Sequence, residues 1–307
     1  MFRDMLVPLM NVPESDDVAT LEKVAATAAR LGGAVSGLGI QIDFAQPVFM
    51  YTDAVVFMSQ AFRDAEEAQR TRVEDQLGRL SHQAAVAGVG CDSEIIQVAA
   101  GELAGVLARR ARLHDLTVFV LGDDDPAARN CVEGVVFGSG RPLLVLPRAA
   151  PASAMANVVV AWDFSREAAR ALADAMPILR QAANVTVLHV TDDGAPRHAS
   201  AEALERHLER LDIGARFHQR ARGSQTVHEA LETYARSNGA DLIVMGAYGH
   251  SRLQEFVLGG VTREVLKAPF LPVLLSHCPL FHWRCLARKR ARRICAGKRG
   301  PVPRLDS

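Results

Sequence analysis

The stretch Asp241-Leu-Ile-Val-Met245 runs directly into Gly246-Ala-Tyr-Gly249, and nine residues further on comes Gly259-Gly260-Val261-Thr262. The first five residues are almost continuously apolar. An alternating pattern would mean one solvated face, whereas this one means burial on both faces, as in a parallel sheet. Upstream, Val227, Ala230, Leu231, Tyr234 and Ala235 fall at i, i+3, i+4, i+7 and i+8, one stripe of a helix that stops near Gly239. Helix followed by buried strand is half of a βαβ unit, whose crossover is right-handed. The glycines then stand at the carboxyl end of a parallel strand, where open α/β sheets bind ligands. Gly246 and Gly249 would let the backbone approach a ligand. Gly259 and Gly260 would open a helix whose free N–H groups and dipole favour phosphate.

Working outward, the chain repeats itself. Met5-Leu-Val-Pro-Leu9 has its counterpart in Val158-Val-Val-Ala-Trp162. The run from Gly101 through His114-Asp115 to Gly122 parallels the run from Gly223 through Ala240-Asp241 to Gly246. Pro142-Leu-Leu-Val-Leu146 matches Pro272-Val-Leu-Leu275, with proline at the strand entrance, where a missing N–H does least harm. The 307 residues suit two domains. A stretch rich in Ala, Pro and Ser, residues 148–156, separates them and puts the boundary near residue 152. We therefore expect domains at 1–148 and 153–278 and a tail at 279–307.

The glycine spacing G-x2-G-x9-G, followed in the family by Ser or Thr, resembles the signature of the universal stress protein (UspA-like) family. Gly246, Gly249 and Gly259 match it. The resemblance extends to Val158 through Asp163-Phe-Ser165, to Val185-Thr-Val-Leu-His-Val190 and to Pro272 through Leu275, covering residues 155–277. The first half looks like a diverged copy, so the whole resembles the tandem type. The implied fold is α/β, with two Rossmann-like domains of the adenine nucleotide alpha hydrolase kind, each a five-stranded parallel sheet with helices on both faces. The last strands of the two domains would meet at their interface, and the chain would dimerise. In ATP-binding members an Asp after the first strand and a backbone group after the second hold the adenosine, while the glycine segment holds ribose and phosphates. Carried over by motif, these are Asp163, Val190, Gly246, Gly249, Gly259, Gly260 and Val261. The implied ligand is ATP, with Mg²⁺ as an accompanying ion, and the implied role is regulation in a stress response. A carboxylate accepts from adenine or ribose donors, and a string of backbone amides binds phosphate without adding positive charge.

Asp163 equally suits a helix cap for a helix beginning near Ser165 or Arg166. The family pattern is broken at Gly260, which stands where Ser or Thr belongs. Thr262 either supplies the missing hydroxyl or caps its own turn, and His250, Ser251 and Arg252 lie in the spacer. The first half lacks this chemistry: Met10 stands in place of the strand-end Asp, and Gly122 is followed by Asp123, Asp124 and Asp125, which repel phosphate and read as a solvated acidic loop. Ser139, in the loop before the last strand, reads as structural. His189 reads as a hydrogen-bonded strand histidine.

No G-x-S-x-G, H-E-x-x-H or Walker A segment occurs, so no catalytic residues are assigned. Slow ATP hydrolysis or self-phosphorylation is the enzymatic alternative. A nucleotide-free interaction module using residues 43–62, a segment with apolar residues such as Val48, Phe49, Tyr51 and Val55 that reads as a packed interface loop or a lid, is the other. A charged helix follows to about Ala87.

The composition, 49% hydrophobic, 23% charged and 6% aromatic, is that of a globular protein. No apolar run is long enough to cross a bilayer or to form a signal-peptide core, and five scattered cysteines fit a reducing compartment, so the expected location is cytoplasmic. The balance of 35 basic and 35 acidic residues conceals an asymmetry. Residues 279–307 hold nine Lys/Arg and one Asp, which leaves 26 basic against 34 acidic in the rest. An acidic body is no nucleic-acid surface. The basic tail, with Phe281 and Trp283, fits contact with anionic lipid or nucleic acid, or a disordered extension. His277, Cys278, His282 and Cys285 match no strong zinc spacing.

Overall fold

A computed structural model describes residues 2–10, 18–43, 53–123, 125–193, 196, 198–247 and 260–278, with the backbone alone for 53–62 and Ala100. The tail therefore lies outside the described residues, as do 44–52 and 248–259.

The first half runs β1 (Asp4–Leu9), α1 (Val18–Leu31), β2 (Ala34–Asp43), α2 (Asp53–Val86), β3 (Cys91–Ala99), α3 (Leu103–Ala111), β4 (Leu116–Leu121), α4 (Pro126–Gly138) and β5 (Leu143–Pro147). The second runs β6 (Asn157–Ala161), α5 (Arg166–Leu179), β7 (Asn184–Thr191), α6 (Ala201–Glu209), β8 (Ala215–Ala221), α7 (Val227–Ser237), β9 (Leu242–Gly246), α8 (Val261–Lys267) and β10 (Val273–Ser276).

All strands lie in one sheet, ordered β3-β2-β1-β4-β5-β10-β9-β6-β7-β8. Within each half every pair is parallel. The exception is the junction, where β5 and β10 pair antiparallel with Val145 opposite Val273, Leu144 opposite Leu274 and Leu143 opposite Leu275. The last strands thus meet as expected, and their pairing joins the two five-stranded parallel halves into a single ten-stranded sheet. Each half would otherwise leave a short, largely apolar strand with an open hydrogen-bonding edge. Pairing them removes both edges.

The repeat read in the sequence has a structural counterpart at the strand entrances. Asp115 Oδ2 accepts from the N–H groups of Arg3 (2.9 Å) and Asp4 (3.3 Å), tying the start of β1 to that of β4. Asp241 does the same for β6, accepting from Ala156 and Asn157, both at 2.9 Å. Pro142 and Pro272 each contribute a carbonyl, to Thr117 N–H and Ile243 N–H respectively. Residues 148–156 are also held: Arg30 Nε donates to Ala154 O at 2.9 Å, and Met155, with φ 49°, is fully buried.

Two layers of helices bury the sheet. Val158, Val160, Leu242, Val244 and Leu274 face the α5 side, while Val159, Ile243, Met245, Val273 and Leu275 face the opposite side with Leu231, Tyr234, Val265 and Leu266. Successive residues of one strand thus enter opposite cores, which is why these strands read as continuously apolar. The interface loop expected over 43–62 is corrected in part, because α2 begins at Asp53 and runs unbroken to Val86. Val55 belongs to its first turns, and Val48, Phe49 and Tyr51 lie outside the described residues. No described helix is long and apolar enough to cross a membrane.

Candidate functional site

In the second half the strand order reverses between β6 and β9, which lie side by side with Ala161 opposite Met245. Chains leaving adjacent parallel strands in opposite directions open a crevice at their carboxyl ends. Asp163 follows β6, Gly246 ends β9, and Val190 lies on β7 two residues past Leu188, the last partner of β6. The expected ligands Asp163, Val190 and Gly246 therefore share one end of three adjacent strands.

Asp163 is exposed, and its Oδ1 accepts from Ser165 N–H at 2.9 Å. It does not cap α5. That place belongs to Ser165, whose hydroxyl accepts from Ala168 N–H at 3.1 Å. The Asp163 turn leaves its second carboxylate oxygen without a hydrogen bond among the described residues.

Gly246 has a packing reason to be glycine. A Cβ there would lie 2.5 Å from the carbonyl carbon of Glu167 and 2.6 Å from the amide nitrogen of Ala168. What approaches it closely is the first turn of α5. Glu167 itself is 2% exposed and pairs with Arg166 at 2.7 Å.

Gly260 takes the N-cap position of α8 with φ −77° and ψ 152°, an extended conformation open to any residue, and a Cβ there would meet nothing within 4 Å. Val261 opens the helix. Thr262 is only 4% exposed and lies on the buried stripe of α8 with Val265 and Leu266. Gly249, Gly259, His250, Ser251 and Arg252 lie outside the described residues.

His189 Nδ1 donates to Trp162 O at 2.8 Å, since a carbonyl can only accept. Its ring belongs to a group that the sequence gave no cause to assemble. Phe164 lies 5.2 Å from His189, 5.8 Å from Trp162 and 6.2 Å from Phe217, and it stacks face to face with His198 at 3.5 Å. The only hint was Asp163-Phe-Ser165 itself, because His198 and Phe217 are distant along the chain.

The equivalent crevice of the first half, between β1 and β4, is filled differently. Met10 replaces the aspartate, and the Arg148 guanidinium covers Gly122, 3.4 Å from where a Cβ would sit. Buried Lys23 donates to Pro147 O at 2.7 Å and to Arg148 O at 2.8 Å. A cavity of about 30 Å³ is left, lined by Leu9, Met10, Thr20, Val118, Asp125 and Arg148 among others, which is room for a water molecule. Asp125, read as part of a solvated loop, instead caps α4, accepting from Ala128 N–H at 2.9 Å. Beneath it, burial and then the Asp125 charge push the Cys131 thiol up to about 11. Ser139 ends α4, its hydroxyl accepting from Arg141 N–H at 3.1 Å. No cluster of three metal-ligating side chains occurs among the described residues.

Fold and crevice together define a protein with two like α/β halves in one sheet and a ligand-type switch point at the carboxyl edge of the second. The universal stress protein family matches residues 155–277, the second half of the chain. A segment of 46 residues is 46% identical to the universal stress protein Slr1230 of Synechocystis sp., covering 15% of this chain and 16% of that one. One of 48 residues is 42% identical to the universal stress protein MJ0577 of Methanocaldococcus jannaschii, covering 16% of this chain and 30% of the relative. Both matches span far less than two thirds of those relatives. The crystal structure of a universal stress protein from Archaeoglobus fulgidus shares the fold over 89% of this chain and 98% of its own, with a TM-score of 0.67 and 18% identity.

Proposed function

We propose that the chain is an adenine-nucleotide-binding regulatory protein that holds ATP in the second half, at the carboxyl edge between β6 and β9. The observation that carries this reading is the convergence of Asp163, Val190 and Gly246 on one end of three adjacent strands, with Gly260 opening the helix that follows β9. ATP brings a planar base, a ribose and an anionic triphosphate. Asp163 supplies an acceptor for base or ribose donors, and the backbone of Val190 flanks the adenosine. The N–H groups that open α8 at Gly260 and Val261 face the phosphates together with Gly249 and Gly259, with or without Mg²⁺. Gly246 contributes by letting α5 pack close enough to shape the crevice.

The first half, residues 1–148, is on this reading a structural partner without nucleotide, because Met10, Arg148 and Lys23 occupy the corresponding place. Occupancy of the second half changes the surface of residues 246–262 that a protein partner reads, by no more than the ligand's differential affinity for the two states. The setting is cytoplasmic and the chain self-associates, with the basic tail as a separate contact for anionic lipid or nucleic acid.

Calorimetric titration of ATP with Mg²⁺ into the full chain tests the proposal. Saturable binding is expected, weakened about tenfold or more in Asp163→Ala, the loss of a charge-assisted contact. A folded wild type that binds no adenine nucleotide overturns it in favour of the interaction module. Turnover in the same mixture would favour the slow ATPase.

A further inference from the structure

We infer that His277 is a positioning residue for the nucleotide site: its imidazole fixes the chain where it leaves β9 for the glycine segment, and the first half holds that imidazole in place through Phe137. The inference rests on the nucleotide reading and adds how the first half, without a nucleotide of its own, governs the site of the second.

The glycine segment leaves β9 through Ala247. This residue is fully buried in the core against which Val190 and Val261 pack, so it lies on the same face of the sheet as the start of α8. Both of its main-chain polar groups are held from the end of β10. Its N–H donates to Ser276 O at 2.8 Å, and its carbonyl accepts from His277 Nδ1 at 2.9 Å. A carbonyl only accepts, so Nδ1 carries the proton. The first bond runs between main chains and is available to any side chain at 277. The second depends on the imidazole. Without it the carbonyl of a buried residue loses its donor, and the peptide that sets the direction of the chain toward Gly249 and Gly259 loses half of its anchorage.

His277 is half-buried, and its ring meets that of Phe137 edge to face, with centroids 4.9 Å apart and an interplanar angle of 78°. Aromatic pairs favour this arrangement, which orients the imidazole as well as burying it. Phe137 lies on the last turn of α4, in the first half, and β10 itself pairs with β5 of that half. The donor that fixes Ala247 therefore sits at the junction of the halves, backed by a first-half ring. A movement of α4 reaches the nucleotide segment through this bond, and changes the affinity by no more than the bond differs between the two states.

The test titrates the full chain with ATP and Mg²⁺ and with adenosine, comparing wild type with His277→Leu, His277→Phe, His277→Asn and Phe137→Leu, with Asp163→Ala alongside. Amide exchange at Ala247 is followed in the same proteins without ligand. His277→Leu and His277→Phe, which lack the donor, should bind ATP about fivefold or more weakly and exchange faster at Ala247. The loss should be smaller for adenosine, which has no phosphates for the glycine segment to take. His277→Asn, whose side-chain Nδ2 takes the place of Nδ1, should stay within about twofold of wild type in both measurements. Phe137→Leu should weaken ATP binding about twofold to fivefold in the wild type and leave it unchanged in the His277→Leu background. If ATP binding depends on Asp163 while His277→Leu and His277→Phe match the wild type, or if His277→Asn is as weak as His277→Leu, the positioning role is wrong and the nucleotide reading stands. Additive losses for Phe137→Leu and His277→Leu overturn the link to the first half. If folded wild type binds no adenine nucleotide, the nucleotide reading falls and this inference falls with it.

Discussion

Gly246 and Gly260 belong to one glycine-rich pattern but answer to different physics. Gly246 lies against the first turn of α5, and a methyl group there would meet main-chain atoms of Glu167 and Ala168 and the Glu167 Cβ, none of them the far end of a flexible side chain. Gly246→Ala should therefore destabilise the fold by about 1–3 kcal/mol, the usual cost of overpacking a filled site. The loss would appear as a lower urea midpoint even without ligand. Gly260→Ser meets open space and an extended backbone, and serine caps slightly better than glycine, so it should gain a few tenths of a kcal/mol in the same measurement. A bulky residue at Gly246 is accordingly a poor probe of nucleotide binding, whereas Asp163→Ala removes an exposed carboxylate that caps no helix. The glycine spacing was legible in the sequence, but the reason for glycine at 246 was not, because the atoms it must avoid are nearly eighty residues away.

Among the elements, α7 was the most legible and α2 the least. Ala230, Leu231, Tyr234 and Ala235 are buried as their spacing predicts, with Val227 left more exposed at the first turn. Thr226 and Glu229 close a capping box: Thr226 Oγ1 accepts from Glu229 N–H at 3.2 Å, and Glu229 Oε2 accepts from Thr226 N–H at 2.7 Å. Thr226→Ala should cost about 1 kcal/mol of unfolding free energy. The Thr226 N–H holds the Glu229 carboxyl below the usual carboxylate range. A depressed folded value means that this contribution is fully present above the unfolded carboxyl value, about 4.3, and is lost as pH falls through the folded one. Stability followed from pH 6 downward should fall less steeply in Glu229→Gln, and an unchanged slope would rule the linkage out. The start of α2 escaped notice because its first turns are apolar nearly all round and its remainder charged, leaving no single stripe to mark one continuous helix.

For the whole molecule, the junction of β5 with β10 decides how the halves behave. Leu144 and Leu274 are fully buried and face each other in the only antiparallel register among the described residues. Either leucine replaced by alanine should cost about 2–5 kcal/mol. The double variant should cost less than the sum by at least about 0.5 kcal/mol, because both truncations open the same space. Denaturant unfolding measured by far-ultraviolet and near-ultraviolet dichroism should give one coincident transition. Two separated transitions would mean that the junction does not couple the halves.

By itself the sequence determined what is periodic and local: continuously apolar strands that demand burial on both faces, amphipathic helices with their caps, proline at the last strand of each half, and the repetition of that order. It also carried the glycine spacing by which residues 155–277 resemble the universal stress protein family. The tertiary structure decided which strand edges close on each other, that Arg148 and Lys23 fill the first crevice, and that Phe164 meets His198 beside Asp163. These are contacts between segments distant along the chain. They are set by how one ten-stranded sheet and two helix layers fill space at close packing, which no local period encodes.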